Sequence, residues 1–237
     1  TAPIVAIEPA FGVLNLPYHF SSRDQWYGVL DGKLGQDLLK RLESKGFVGL
    51  GYLENGVRHV TNNIRPITKW EDLKGIKIRL MQNQVFISTF ESFGCLTTTT
   101  PWGELYAALQ QHVVDAQENP VSNIENAKLY EVQKYLSLTG HTYDPNIYFI
   151  NKKFYDSLPA DLQTIVRDAS TEVALWQRDA ATKAEGDLVD LLGKYMQIND
   201  VSAAEIARFR DACKSVYDTQ APIIGKDIVD AWVAAVK

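Results

Sequence analysis

The pattern of apolar and polar positions is most regular in the middle of the chain. Ile76, Ile78 and Leu80 alternate with Lys77 and Arg79, which predicts a strand with one buried face. Apolar side chains then recur at helical spacing near 83–93. Short β-rich stretches follow at 95–99 and 114–118, with a helix between them that begins after Pro101. Residues 76–118 are therefore predicted to alternate strand and helix, the pattern of a parallel α/β layer.

The flanking regions contain longer helices and further strands. Apolar residues at fourfold spacing predict a helical run from Ser21 to Gly46, with a break near Gly32 and Gly35. A strand is predicted at 47–54, a turn at Asn55-Gly56 and a second short strand at 58–61. The remaining predictions are strands at 135–143 and 146–151, a long helix from Pro159 to about Met196, a helix capped by Ser202 and a last helix at about 222–236.

Composition narrows the class of protein. The 237 residues are 46% apolar and 22% charged, an ordinary globular balance, and the formal net charge of −5 argues against a dedicated nucleic-acid binder. Apolar runs stay well short of the roughly 18 residues that a membrane span needs. The first residues, TAPIVAIEP, do not have the features of a signal peptide, and most of them are apolar. We expect either a chain that starts inside a domain or an N-terminal strand tied to a sheet.

Signatures of metal and nucleotide chemistry are missing. The four histidines have no metal-ligand spacing, so we predict no metal and no cofactor. Glu54 occupies the position where a dinucleotide-binding loop after Gly49-Leu50-Gly51 would need its third glycine. Acid pairs such as Asp115 and Glu118 are more often surface groups than a catalytic dyad. Cys95 and Cys213 are predicted to be inert buried thiols rather than nucleophiles, and their spacing leaves pairing open.

Polar residues near predicted strand ends indicate a binding site. Arg79 is near the carboxyl end of its strand, Asn119 closes the next, Trp102 follows the 97–100 threonine run, and Arg58 follows a predicted turn. Ligands of open α/β sheets bind outside the carboxyl ends of the strands, and Arg binds carboxylates with two parallel hydrogen bonds. Taken singly, each residue has a plainer role: an ion-paired Arg, a turn Asn, a core Trp. None is a nucleophile, which favours binding over reaction.

Six segments in order resemble a known family: NGVR (55–58), DLKGIKIR (72–79), PWGELYAALQ (101–110), VVDAQENP (113–120), KLYEVQKYLSLTGH (128–141) and KKFYDSLPADLQ (152–163). They are similar to the substrate-binding proteins of TRAP (tripartite ATP-independent periplasmic) transporters, dicarboxylate-receptor (DctP) type. The resemblance implies a two-lobed α/β periplasmic-binding-protein-like fold with discontinuous lobes and a long bracing helix. The lobes would comprise 1–56 with 145–190 and 57–144 with 191–237, and the first would lack its N-terminal strands.

The resemblance also assigns roles to residues. Arg79 is expected to clamp the ligand carboxylate, with Arg58 and Asn119 as further contacts. Trp102 would line the pocket, although Phe is common there, and Tyr143 and Asp144 would lie where a strand crosses between lobes. Gln82 and the hydroxyls of 97–100 favour a hexuronate-like sugar acid over a C4 dicarboxylate, which stays the alternative.

The implied function is a periplasmic receptor that delivers a small organic acid to TRAP permease membrane subunits driven by an ion gradient. It would be a monomer and would bind no nucleic acid. Two other classes stay open: an enzyme on a similar two-lobed scaffold, and a scaffold reused for protein contact. The former predicts turnover, and the latter predicts no small ligand.

Overall fold

The computed structural model describes residues 2–236, and Thr1, where the predicted start inside a domain falls, lies outside them. The strands are β1 (Phe47–Asn62), β2 (Lys77–Leu80), β3 (Leu96–Thr99), β4 (Ala116–Pro120), β5 (Tyr135–Asn151) and β6 (Gln197–Asp200). The α-helices are α1 (Arg23–Asp31), α2 (Lys33–Lys40), α3 (Gln84–Ser92), α4 (Leu105–Gln110), α5 (Val121–Asn126), α6 (Lys152–Ser157), α7 (Ala160–Leu192), α8 (Ala203–Ala212), α9 (Ser215–Ile224) and α10 (Lys226–Ala235). Short 3₁₀ helices occur at Ala2–Ala6, Pro9–Asn15, Arg41–Lys45, Trp70–Leu73, Trp102–Glu104 and Leu129–Glu131.

One mixed sheet organises these elements, in the order β3-β2-β4-β1-β5-β6. Strand β2 pairs in parallel with β3 and β4, which confirms the parallel layer predicted for 76–118. Strand β1 is antiparallel to both β4 and β5, and β6 is parallel to β5. The two long central strands therefore join the parallel layer to the C-terminal half of the chain.

The predicted turn at Asn55-Gly56 is wrong. Strand β1 runs through it, because Glu54 pairs with Pro145 and Gly56 pairs with Asp144, which leaves Asn55 as an extra residue in the ladder. Gly56 adopts φ +132°, a conformation that glycine tolerates and that accommodates a bulge as well as a turn. The two strands predicted within 135–151 are likewise the single strand β5.

Helix boundaries depart from the sequence pattern where glycines intervene. The break at Gly32 and the helix end at Gly46, which is left-handed at φ +86°, are confirmed. The long helix ends at Leu192 and not at Met196. The predicted last helix begins later than expected, because Pro222 belongs to α9 and Gly225, at φ +111°, separates α9 from α10. The N-terminal alternative of a tied-down strand is wrong, since 2–6 and 9–15 form 3₁₀ turns.

The sheet has an apolar core on each face. On one face Ile78, Leu80 and Val60 pack in a cluster with Phe86 and Phe90 of α3. The other cluster contains Leu136 of β5 with side chains from α4, α5 and the end of α7, among them Leu109, Ile124 and Leu192. Burial of both faces fixes the register of the central strands, because a shift of one residue would turn every side chain to the opposite face.

Helix α7 is attached to β1 by polar contacts. Arg178 donates from Nε to the Tyr52 carbonyl oxygen at 2.9 Å and makes two bonds to the Asp31 carboxylate. The Gln177 amide bonds to both the backbone N–H and the carbonyl of Glu54. These contacts hold the helix beside the bulge. Among residues 2–236, α7 and the other helices all lack the combination of length and apolar character required to cross a bilayer.

Gly56→Ala tests the bulge. A Cβ at residue 56 would lie 2.8 Å from Pro120 Cβ on a backbone at positive φ, so we expect a loss of about 1–3 kcal/mol in the free energy of unfolding. Gly186→Ala is the control, because Gly186 is exposed near the C-terminal end of α7 and a Cβ there meets nothing within 4 Å. That variant should gain up to about 1 kcal/mol. Urea denaturation measures both, and equal stability of the two variants would contradict the strained bulge.

Candidate ligand-binding site

Arg79 occupies the third position of β2, opposite Thr98 of β3 and Gln117 of β4. Its Nε and Nη2 both donate to the Thr100 carbonyl oxygen, at 2.8 and 2.5 Å, and its guanidinium lies 6.0 Å from the centre of the Trp102 ring. The residue is only 1% exposed. These contacts fix the guanidinium at the end of the strand and use one of its two edges.

The second edge of this guanidinium has no hydrogen-bond partner among the residues that the structure describes. Arg79 Nη1 is buried without a hydrogen bond, and Arg79 forms no ion pair with any residue of 2–236. Burial lowers its pKa to about 10, the Arg58 charge acts the same way and Glu118 opposes both, so the group stays positively charged at neutral pH. A buried cation without a counter-charge is costly. The arrangement therefore suits an anion.

Asn119 lies at the end of β4, on the same face as Gln117, because the two are two positions apart along the strand. Its Nδ2 donates to Gln117 Oε1 at 2.5 Å, Gln117 Nε2 donates to Thr61 Oγ1 at 2.8 Å, and Thr61 donates to Gln133 at 2.8 Å. The Asn119 oxygen accepts from Arg58 at 3.1 Å. This chain of bonds orients the Asn119 amide and leaves one hydrogen of Nδ2 free of the bonds described.

Arg58 forms the centre of a buried charge cluster with Glu118 and Asp144. Its Nε and Nη2 donate to the Glu118 carboxylate at 2.5 and 2.9 Å, and its Nη1 donates to Asp144 at 2.6 Å. His141 Nε2 lies 3.0 Å from Glu118. Burial acts to raise the pKa of Glu118, but the bonds and charges of Arg58 and His141 outweigh it, and the net shift is downward. Two carboxylates thus neutralise Arg58, whose guanidinium also lies 5.0 Å from the centre of the Phe86 ring.

The predicted site residues fall into two groups. The first group lies at one end of the sheet: Arg79 is near the end of β2 and Asn119 is near the end of β4. Trp102, whose side chain is 45% exposed, is in the turn that follows β3, and Gln82 is exposed just beyond β2. Arg58 and Asp144 bond to each other inside the charge cluster. Tyr143 is half-buried beside Trp26 and Phe20, which raises its pKa. Ligand contact by any of the seven residues stays a prediction.

Sequence reasoning missed the interior role of Glu118, which is wholly buried and not a surface acid. The signal was available in the strand pattern, because Ala116 and Glu118 alternate with Gln117 and therefore share the apolar face. The cysteines are confirmed as buried free thiols, and burial raises the pKa of both to about 12. Within 2–236, His, Cys, Asp and Glu side chains form no cluster suited to a metal ion.

The family can be assigned from comparison with known proteins. The family model described as "Bacterial extracellular solute-binding protein, family 7", DctP, matches residues 1–222. The chain belongs to the DctP family. Members of this family and the relatives below are solute-binding proteins, so the prediction that the chain is not an enzyme is confirmed at the level of the family.

Relatives of this DctP-family chain include proteins with named ligands. It is 37% identical over 184 residues, 78% of this chain and 56% of the relative, to the 2,3-diketo-L-gulonate-binding periplasmic protein YiaO of Escherichia coli. The sugar acid binding protein DctPAm of Advenella mimigardefordensis, in complex with galactonate, superimposes with a TM-score of 0.95 at 37% identity, over 99% of this chain and 76% of that one. A TRAP periplasmic solute-binding protein of Sulfurospirillum deleyianum with bound succinate gives 0.92 at 32% identity, over 100% and 78%. These matches confirm the two-lobed TRAP-receptor fold class.

The DctP-family chain is shorter than its curated relatives. It spans 57%, 60% and 56% of the length of three of them. The ligands and the transport role of these longer proteins are therefore proposals for this chain.

Buried neutral histidines predict an acid-sensitive fold. Burial, with smaller contributions from His141 and Arg23, lowers the pKa of His59, which lies opposite Asn119, to about 3. Burial lowers the pKa of His19 to about 4. The unfolded chain takes up these protons near pH 6.5, well before the folded chain does. The contribution of these histidines to the free energy of unfolding is therefore fully present above about pH 6.5. Below that pH, the free energy of unfolding decreases by about 1.4 kcal/mol per pH unit for each histidine.

His59→Gln keeps an acceptor for the Gly140 N–H. This variant should lose one histidine's contribution to the pH dependence of the free energy of unfolding between about pH 6 and 4. Exposed His112→Gln is the control, measured by urea denaturation across the same range. A slope that falls equally in both variants, or in neither, would contradict this assignment.

Proposed function

We propose that the chain belongs to a receptor that captures a small organic acid by its carboxylate. The observation that carries this proposal is the Arg79 guanidinium, which is buried, held by Thr100 and lacks an acidic partner among the described residues. A carboxylate at its second edge would supply the missing counter-charge through charge-assisted bonds. The free hydrogen of Asn119 Nδ2 provides a second donor on the same face of the sheet.

A sugar acid fits this site better than a dicarboxylate. A second open cation would favour a dicarboxylate, but Arg58 is already paired with Glu118 and Asp144, so within residues 2–236 Arg79 alone of these two offers a free edge. The exposed Gln82 amide and the hydroxyl of Thr98, opposite Arg79, suit the hydroxyl groups of a polyol. Galactonate and 2,3-diketo-L-gulonate, the ligands named for two relatives, are monocarboxylates of this kind. Succinate in another relative supports the C4-dicarboxylate alternative.

We further propose that the receptor acts in the periplasm as a monomer and delivers its ligand to the membrane subunits of a TRAP permease. Its fold would consist of two discontinuous lobes. The proposed lobe boundaries at 56–57 and 144–145 coincide with the register shift where Gly56 pairs with Asp144. A bulge lets two halves of a ladder differ in direction, as a hinge between lobes requires.

Arg79→Met tests the carboxylate clamp. Loss of a buried charge-assisted contact costs on the order of 2–5 kcal/mol, so galactonate affinity should fall at least about thirtyfold. Arg65→Met is the control, because Arg65 is an exposed arginine whose guanidinium donates to the backbone carbonyls of Asp72 and Lys74. Calorimetric titration with galactonate, galacturonate and succinate measures the effect and ranks the ligands. Unchanged affinity in Arg79→Met would refute the clamp, and recovery of a chemically altered acid by mass spectrometry would favour the enzyme.

Gln117 provides an independent test of the open cation. Gln117→Met removes the acceptor that orients Asn119 and should weaken galactonate binding by about tenfold. Gln117→Glu places a carboxylate directly opposite Arg79 in the parallel ladder, and we expect this internal anion to abolish binding. Calorimetry with the two variants, alike in side-chain length, separates charge from shape. Tighter binding by Gln117→Glu than by Gln117→Met would contradict the role of Arg79.

A further inference from the structure

A cavity is lined by residues other than those of the candidate site around Arg79. It has a volume of about 800 Å³ and lies between the segment from Tyr18 to Gln25 and the C-terminal helices α8–α10. Its wall is mainly apolar and includes Ala221, Pro222, Val229 and Val233, with Tyr217 at one side. Cavities of several hundred cubic ångströms with apolar walls and a few polar groups are typical of small-molecule sites.

The charges around this cavity favour an anion. Arg210 and Lys214 line it, and neither forms an ion pair with a described residue. Tyr18 and Tyr217 line the same cavity as Arg210. Burial raises the pKa of both tyrosines, and the Arg210 charge acts in the opposite direction. Of the remaining charged residues around the cavity, Lys226 is bonded to Asp230, and Asp218 is the other acid. Among residues 2–236, the lining therefore contains two cations and one carboxylate that form no ion pair.

The wall also contains strained and unsatisfied groups. Tyr18 has φ +51°, a left-handed conformation that is uncommon for a bulky side chain. Its hydroxyl and His19 Nε2 are buried and make no hydrogen bond with residues 2–236. Strained backbone and unsatisfied polar groups concentrate at binding sites, where the surrounding structure maintains them for a purpose other than stability. Neither group is explained by the carboxylate clamp at Arg79.

We propose that this cavity binds an aromatic monocarboxylate, with the carboxylate at Arg210 and Lys214 and the aromatic body against Val229, Val233 and Tyr217. The apolar wall suits a ring system and offers little to a polyol, so the ligand class differs from the sugar acid proposed for Arg79. The site is also independent of the clamp, since its residues come from the chain start and the C-terminal helices.

Indole-3-butyrate and its neutral amide are suitable probes for calorimetric titration of the whole chain. We expect indole-3-butyrate to bind and the amide to bind at least about tenfold more weakly, the effect of losing a charge-assisted contact. Arg210→Met should weaken indole-3-butyrate binding by about the same factor. Arg208→Met is the matched control, because it removes an arginine from the same helix outside the cavity wall.

Two further variants separate this site from the clamp and from misfolding. Val233→Asp should abolish indole-3-butyrate binding. Unchanged galactonate binding would show that this variant is still folded. If galactonate does not bind the parent protein, an unchanged urea denaturation midpoint serves as the test of folding instead. Arg79→Met should leave indole-3-butyrate binding unchanged. The proposal is overturned if indole-3-butyrate does not bind, if the amide binds equally well, if galactonate displaces the probe, or if Arg208→Met weakens binding as much as Arg210→Met.

Discussion

The ion pairs of Arg58 with Glu118 and Asp144 are the interaction on which the centre of this structure depends. They join β1, β4 and β5 within the apolar interior, where the three groups are essentially inaccessible to water. Removal of one member of such a cluster typically costs 3–5 kcal/mol, because an uncompensated charge is left behind. The cluster therefore fixes β4, which carries Asn119 of the candidate site, relative to β1 and β5, and it does so at the bulge in β1.

The same cluster explains why two arginines of one sheet differ in character. Arg58 is paired with two carboxylates within the fold. Arg79, on the opposite face, contacts only a backbone carbonyl and an aromatic ring among residues 2–236. An internal acid beside Arg79 would have stabilised the protein and closed the site. Its lack among residues 2–236 leaves a fixed, charged donor at the sheet end, and a chain of buried side chains orients the Asn119 amide at the end of the neighbouring strand β4.

Local patterns were enough to predict part of this arrangement. The β2–β4 layer follows from alternation and helical spacing within about 40 residues, and Arg79 and Asn119 were recognisable by their positions near strand ends. Strands β1 and β5 were not predictable as single strands, because Asn55-Gly56 has the same local sequence in a bulge as in a turn. Only pairing with a distant strand decides between them. The pairing of Arg58 depended in the same way on partners far along the chain.

The separation of Arg58 from its partners along the sequence also constrains the order of folding. The Arg58 contacts span 60 residues to Glu118 and 86 residues to Asp144. Contacts of such long range form only after large loops have closed, so their entropic cost precedes the stabilisation that they give. We therefore expect helices and the local β2–β3 unit to form early, and the centre of the sheet to assemble late. Until then Arg58, Glu118 and Asp144 remain hydrated, and the final exclusion of water from all three is a single cooperative event.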